Sequence, residues 1–213
     1  MESGGVLVLA SLLAASAPMA ILVLDTSTAP HDRLPDGWRL KVNRGTADIT
    51  VIEEPNSKVL RFKSRKSSFG LERGVDVDTS QFPYLTWSWK VSELPAGGDF
   101  RRSSTDDQAA QVLVLFADRH VLAYIWDSSA PKGTLQSASS LPLVHIFALV
   151  CRSGAEELNR WLPEAHNLAD DYRKAFDRPP AYVKGIRLQI NSQHTGSAAE
   201  SYFGSISFRS SPQ

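Results

Sequence analysis

Cysteine is nearly absent from this sequence, since Cys151 is the only one among 213 residues. A single cysteine excludes an intrachain disulfide and the cysteine-rich zinc sites, which need closely spaced pairs. Cys151 follows the apolar run 143–150, where a free thiol typically serves as a small buried hydrophobic side chain. We therefore expect a structural cysteine and not a nucleophile.

An excess of charge is also missing, because 23 basic residues balance 23 acidic ones. Proteins that bind nucleic acid concentrate lysine and arginine to neutralise phosphates, and this sequence contains no basic run of that kind. A basic amphipathic helix suited to a membrane surface is absent as well. The sequence thus gives no indication of a nucleic-acid partner.

Catalytic motifs are absent too. The chain contains no G-x-S-x-G, P-loop or G-x-G-x-x-G segment, and its five histidines are scattered without metal-ligand spacing. Ser129 and Lys132 match the serine–lysine spacing of certain acylases, but they lie in a Pro/Gly loop without that motif's companions. We therefore expect no cofactor, no metal and no catalytic constellation.

The N-terminus, by contrast, is strongly apolar. Val6–Leu24 carries no charge over 19 residues, a length that just suffices to cross a bilayer. It also resembles a signal peptide, although Glu2 is acidic and Pro18 would follow a cut after Ala17. We predict that residues 1–25 are a signal peptide or a membrane anchor, with membrane association possible through residues 6–24. The protein would then be extracytoplasmic, in the periplasm or cell envelope, secreted or anchored.

After a Pro-containing linker at residues 26–36, short apolar segments alternate with turn residues through a domain at 37–210. Trp87 and Trp89 are two residues apart, so in a strand both indoles point to one side, which we predict to be the core. Residues 117–120 and Asn56-Ser57 are short enough for hairpin turns. Strands are predicted near residues 47–53, 59–63, 84–91, 109–117, 121–127, 143–151, 183–191 and 201–208.

One segment has helical periodicity. Leu168, Tyr172 and Phe176 are four residues apart, and Asn167 precedes them as a plausible N-cap, so we predict a helix at 168–176. Many short strands with one helix indicate an all-β fold, a two-sheet antiparallel β-sandwich of jelly-roll type. A closed barrel is the alternative.

Four residues are candidates for ligand binding. Asp106 and Asp107 end a polar loop before a core strand, where they could cap a turn, hold Ca²⁺ or pair with the neighbouring arginines; capping is the preferred interpretation. Trp126 and Trp161 lie at strand ends near loops, so we expect them to be the more exposed indoles and the better platforms for a sugar ring.

The order of several motifs resembles the bacterial domain-of-unknown-function family three-zero-four-seven over roughly residues 34–208. The motifs are Leu-Pro-x-Gly-Trp (34–38), Pro-x-Leu-x-Trp-x-Trp-Lys (83–90), Asp-Asp-x-Ala-Ala-x-Val-x-Val-x-Phe (106–116), Leu-x-Tyr-x-Trp (122–126), Trp161 with Glu164, Asp171-Tyr-Arg with Phe176, and Ala-x-x-Tyr-Phe-Gly-x-Ile-x-Phe (199–208).

This resemblance implies an exported, single-domain β-sandwich, similar in outline to galactose-binding-like carbohydrate modules and without an established activity. The chain departs from the family before the last strand, where relatives carry an acidic Asp-x-Asp-Asn-Thr turn and this chain reads Asn191-Ser-Gln-His-Thr195. If that turn binds a hard cation in relatives, the charged ligands are missing here.

Three functional hypotheses remain open. The first is a non-catalytic cell-envelope module that binds a carbohydrate or another extended ligand. The second is an accessory or structural subunit that the N-terminal segment anchors to a larger membrane complex. The third is a polysaccharide-acting enzyme, in which Asp106 would converge with Glu164 or Asp171.

Overall fold

The computed structural model describes residues 19–55, 57–138 and 143–212, and this part of the chain folds into two β-sheets and one α-helix. A 3₁₀ turn is formed by Ser103–Thr105. The strands are β1 (Ala20–Leu24), β2 (Arg39–Arg44), β3 (Ile49–Glu54), β4 (Ser57–Arg65), β5 (Ser68–Val77), β6 (Tyr84–Glu93), β7 (Ala110–Phe116), β8 (His120–Asp127), β9 (Leu135–Ser137), β10 (His145–Ser153), β11 (Leu162–Asn167), β12 (Val183–Asn191) and β13 (Ala198–Arg209), and the helix is α1 (Leu168–Phe176).

The two sheets differ in size. The six-stranded sheet has the order β11-β6-β13-β4-β3, with β1 also paired to β13, and the seven-stranded sheet has the order β2-β5-β12-β7-β8-β10-β9. All described strand pairs are antiparallel except β8–β10, which is parallel. A parallel pair needs a long connection between its strands, and residues 128–144 supply it. The two-sheet sandwich of jelly-roll type is therefore confirmed, with this pair as its departure from antiparallel pairing.

The core lies between the two sheets and is rich in aromatic side chains. Trp87 and Trp89 on β6 are 3% and 0% exposed, and their rings meet edge to face with centroids 5.4 Å apart. Tyr124 and Trp126 on β8 approach these indoles from the other sheet, at 5.3 and 6.1 Å. The inward orientation of both β6 indoles is thus confirmed.

Helix α1 covers the predicted residues. The Asn167 side chain accepts hydrogen bonds from the amides of Ala169 and Asp170 at 3.0 and 3.2 Å, which satisfies two donors that a helix start leaves free. Leu168 and Tyr172 are fully buried, so the apolar stripe of the helix packs on the sandwich.

Strand β1 differs from the sequence prediction. Ala20–Leu24, which we assigned to a signal peptide or membrane anchor, pairs with the end of β13, and Val23 and Leu24 are buried in the core. The Val23 carbonyl also accepts hydrogen bonds from the Trp38 indole and the Arg73 guanidinium. The sandwich therefore includes residues ahead of position 37. Among the described residues, no helix has the length and apolar character needed to cross a membrane.

Four further strands lack a clear sequence pattern. Every residue of β2 is exposed at a sheet edge, β5 contains two interior glycines, β9 has only three residues, and β11 contains Pro163 and forms an edge. The predicted hairpin at residues 117–120 is confirmed by the antiparallel β7–β8 pair. Asn56 of the other predicted hairpin lies outside the described residues, although β3 and β4 on either side of it are paired.

Candidate functional site

A cleft of about 790 Å³ opens on the outer face of the six-stranded sheet. Strands β6 and β13 bury alternate side chains in the core, so the intervening residues point outward and form the floor of the cleft. Edge strand β11 and the residue before it form one side, and β1 and β4 contribute to the other.

Trp161 forms an aromatic wall at one end of this cleft. Its indole nitrogen donates a hydrogen bond to Glu54 Oε2 at 2.6 Å, and Glu54 Oε1 in turn accepts from Lys90. The Lys90 ammonium lies 5.3 Å from the Trp161 ring centroid and 4.3 Å from that of Tyr202. These contacts fix the orientation of a partly exposed indole. The Glu54–Lys90 pair also leaves this end of the cleft without net charge.

Hydroxyl groups form the floor. Thr86 and Ser207 face each other across β6 and β13, with their hydroxyl oxygens 2.9 Å apart. A Cβ at Gly204 would lie only 2.3 Å from Ser88 Oγ, so the glycine allows the β13 backbone to approach this hydroxyl closely. Ser205, which lies between Gly204 and Ser207 on β13, is exposed. The floor therefore offers several small groups that can both donate and accept hydrogen bonds.

Arg209 lies at the opposite end of the cleft. Its Cα pairs with Tyr84 on β6 and with Ala20 on β1. The side chain is partly buried, and its Nε is buried without a hydrogen-bond partner among the described residues. This end of the cleft therefore carries a positive charge.

A buried polar cluster supports the cleft from beneath. The His166 ring lies between two carboxylates, with Nδ1 3.1 Å from Asp171 Oδ2 and Nε2 3.8 Å from Glu164 Oε2. Arg152 Nε donates to Glu164 Oε1 at 2.7 Å. Burial opposes the charged ring, but the hydrogen bond to Asp171 and those to its other neighbours raise the pKa of His166 to about 11. The cluster thus holds an imidazolium.

The same cluster contains the cysteine. Cys151 Sγ lies 3.4 Å from His166 Nε2, so with Asp171 the three side chains have the connectivity of a cysteine–histidine–carboxylate triad. Cys151 is nevertheless only 5% exposed, and burial raises the pKa of its thiol. A reactive cysteine needs an accessible thiolate, so we assign a structural role to this one, as the sequence led us to expect.

Of the four predicted site residues, Trp161 alone lines the cleft. The predicted exposure of Trp126 is wrong, because this side chain is 0% exposed and its indole nitrogen donates a hydrogen bond to the Gly154 carbonyl at 3.1 Å. It is therefore not available as a binding surface. Its position at a strand end suggested exposure, but residue 126 continues the inward-facing row of β8. Tertiary packing against Trp89 therefore decides its role.

Asp106 and Asp107 lie away from the cleft. Asp106 lines a groove of about 220 Å³ on the outer face of the seven-stranded sheet, and burial raises the pKa of its carboxyl. Asp107 is fully buried and accepts a hydrogen bond from the Thr195 amide at 2.6 Å, so it binds the turn at residues 193–196. The arginines at 101 and 102 pair with Asp99 instead. Neither aspartate meets Trp161, so the predicted residues do not form one site.

Most of the cleft was not identified from the sequence. Ser205, Ser207 and Arg209 alternate with inward apolar residues, and this pattern indicates a solvent-facing side without distinguishing a cleft from open surface. Lys90 and Glu54 come from distant strands, and only the fold brings them beside Trp161. Arg152 on β10 likewise meets Glu164 on β11 only because the two sheets pack face to face.

Residues 36–207 match the family described as "Protein of unknown function (DUF3047)". No curated protein sequence matches the chain.

Several solved structures are similar to this chain at low sequence identity. They include the xyloglucanase domain of NopAA from Sinorhizobium fredii (10% identity, TM-score 0.49, covering 83% of this chain and 95% of that one). Two Clostridium thermocellum carbohydrate-binding modules are also similar: the family 11 module of Lic26A-Cel5E (9% identity, TM-score 0.47, 91% and 95% covered) and the family 30 module of Cel9D-Cel44B (10% identity, TM-score 0.47, 88% and 96% covered).

Proposed function

The chain belongs to the DUF3047 family of proteins of unknown function, and we propose that it is a non-catalytic module that binds an extended glycan in the cleft on its six-stranded sheet. The observation that carries the proposal is the fixed, partly exposed indole of Trp161 beside a floor of hydroxyl groups.

This combination matches the surface of a sugar. A pyranose ring presents a face of C–H groups that packs on an aromatic ring, and an edge of hydroxyls that exchange hydrogen bonds with polar groups. Trp161 supplies the aromatic surface, and Thr86, Ser88 and Ser207 supply small hydroxyls. Because Glu54 and Lys90 already fix the indole, binding would cost little side-chain entropy there.

The length of the cleft favours an oligosaccharide over a single sugar. Lys90, beside Trp161, and Tyr84, beside Arg209, are 90 − 84 = 6 residues apart on β6. At ~3.4 Å per strand residue, this separation is roughly 20 Å. A chain of several sugar rings could therefore contact both ends.

The carboxylates of the described residues support binding without hydrolysis. Glycoside hydrolysis requires two carboxyl groups on either side of one bond, about 5–10 Å apart. Glu164 is the one acidic residue among those that line the cleft in the described part of the chain, and Glu54, beside Trp161, already accepts hydrogen bonds from Trp161 and Lys90. Burial acts to raise its pKa, but hydrogen bonds to His166 and Arg152 outweigh burial and lower it, so Glu164 is poorly suited to donate a proton.

The other carboxylates of the enzyme hypothesis do not supply a partner. Asp106 faces the groove on the opposite sheet. Asp171 does lie near Glu164, since both contact His166, but it is buried and accepts a hydrogen bond from Tyr124 at 3.1 Å.

The test is binding to a panel of cell-envelope polysaccharides and their oligosaccharides by affinity electrophoresis and calorimetry. Trp161→Ala should weaken binding by about 2 kcal/mol, roughly thirtyfold, as expected when a central aromatic contact is removed. The matched control is Tyr182→Ala, which removes a 50% exposed aromatic residue outside the cleft. Equal loss in both variants, or none in either, would contradict the proposal. Retained binding in Trp161→Ala with loss in Asp106→Asn would move the site to the other sheet.

We further propose export by cleavage of the N-terminal segment. Strand β1 takes residues 20–24 from the apolar run, which leaves 6–19, shorter than the ~20 residues that a bilayer span needs. A cut after Ala17 would leave β1 intact, whereas a cut after residue 25 would remove Val23 and Leu24 from the core.

The N-terminal sequence of the mature protein, read by mass spectrometry, tests this second proposal. A start at residue 18 supports it. An uncleaved chain that purifies from membranes with other proteins would favour the accessory-subunit alternative.

A further inference from the structure

Among the described residues that line the cleft, Arg209 is the cation. No carboxylate among the described residues forms an ion pair with it, and its Nε is shielded from solvent with no acceptor. Two other cations on the same face have carboxylate partners: Lys90 pairs with Glu54, and Arg61 lies 3.7 Å from Glu200. A guanidinium Nε that is buried without an acceptor is unfavourable in the free protein, because the lost hydration of that N–H group is not replaced.

We propose that the cleft selects an acidic glycan, with Arg209 binding the carboxylate of a hexuronic acid residue. The inference rests on the glycan-binding function proposed above and adds the charge of the ligand. A guanidinium presents a planar fork of N–H donors that matches a carboxylate with two parallel hydrogen bonds. Neutral sugars offer no such group.

The positions of the other charges agree with this assignment. The carboxylate of Glu54 at the Trp161 end is paired with Lys90, and that of Glu164 is paired with Arg152. Neither therefore presents an uncompensated negative charge to an acidic ligand. The indole and the guanidinium lie at opposite ends of the cleft, so one sugar could stack on Trp161 while the carboxylate of a more distant sugar meets Arg209.

The experiment compares acidic oligosaccharides with their own neutral forms. Oligogalacturonate, oligomannuronate and hyaluronan fragments are each measured by calorimetry beside the carboxyl-reduced product, in which every carboxylate has become a hydroxymethyl group. The proteins are wild type, Arg209→Gln, Arg209→Lys and Arg187→Gln. Arg187 is the matched control, because its Nε is also buried without a partner but it lies on the seven-stranded sheet. Circular dichroism verifies that each variant is folded.

We expect the wild type to bind at least one acidic oligosaccharide about tenfold more tightly than its neutral form, the value of one good hydrogen-bonded charge pair. Arg209→Gln should abolish this preference, Arg209→Lys should keep part of it, and Arg187→Gln should leave it unchanged. Added salt should reduce it.

Two results would overturn the inference in different ways. If acidic and reduced forms bind equally, or if Arg209→Gln keeps the preference, the acidic ligand is wrong while glycan binding stands. If no saccharide of either kind binds, or if Trp161→Ala binds as the wild type does, the proposed site itself fails.

Discussion

The Trp126→Ala substitution distinguishes a tryptophan of the core from one that lines the cleft, such as Trp161. Trp126 is fully buried, packs against Trp89 with ring centroids 6.1 Å apart, and donates its indole hydrogen to the Gly154 carbonyl. The substitution removes the whole ring from a site where the surrounding sheets can collapse only partially. It should therefore affect folding, whereas Trp161→Ala should affect binding.

The expected magnitude follows from these contacts. Truncation of a buried tryptophan to alanine costs about 4 kcal/mol of the free energy of unfolding. The loss of the indole donor also leaves the Gly154 carbonyl without that bond, which adds about 1 kcal/mol. For a chain of this size, each kcal/mol lowers the melting temperature by about 2–4 °C, so the midpoint should fall by about 10–20 °C. Trp161→Ala, which loses one hydrogen bond to Glu54 at the surface, should cost about 1 kcal/mol.

Urea unfolding followed by far-UV circular dichroism measures both variants without depending on indole fluorescence. Trp126→Phe provides a milder variant, which keeps an aromatic ring and should show a smaller loss if Trp126→Ala does not fold. An unfolding free energy for Trp126→Ala within about 1 kcal/mol of wild type would refute the core assignment and return this residue to the candidate binding surface.

Two further predictions concern the helix and the buried cluster. Asn167→Ala removes the acceptor of two helix-start amides and should lower the free energy of unfolding by about 1 kcal/mol, while Asn167→Asp, which keeps an acceptor, should retain most of it; equal losses would contradict the capping role. Because the pKa of His166 is raised to about 11 in the folded protein, its contribution to stability should be fully present below pH ~6.5, the value in the unfolded chain, and should be lost as the pH rises towards 11. The difference in unfolding free energy between wild type and His166→Gln should therefore narrow from pH 6 to pH 10, and a constant difference would show that the folded-state ring is not charged.

Local pattern was sufficient for much of the fold. The helix at 168–176 is specified by the four-residue spacing of its apolar stripe and by a cap at Asn167, both of which act within one or two turns. The inward indoles of β6 follow from two-residue alternation, and the β7–β8 hairpin follows from its short turn. These features depend on neighbours in the chain, so a sequence displays them directly.

Features that depend on contacts between distant segments could not be predicted from the sequence. Strand β1 is the end of an apolar run whose composition also suits a membrane or a signal peptide, and only its pairing with β13 identifies it as part of the sandwich. Trp126 and Trp161 have similar local settings, yet the first is packed between sheets and the second lies at the edge of a cleft. The burial of a side chain depends on which other strands and helices pack against it, and local sequence does not encode this packing.

The sequence by itself determined the class of fold, the inner face of its most regular strands and the lack of any recognisable catalytic motif, because these depend on residue periodicity and composition. Tertiary structure alone decided where a cleft forms. Strand pairing brings the hydroxyls of β6 and β13 into one floor and places Trp161 and Arg209 at its two ends. The physical reason is that a cleft is a property of surfaces contributed by several strands, and their side chains meet only after long-range backbone hydrogen bonds set the register.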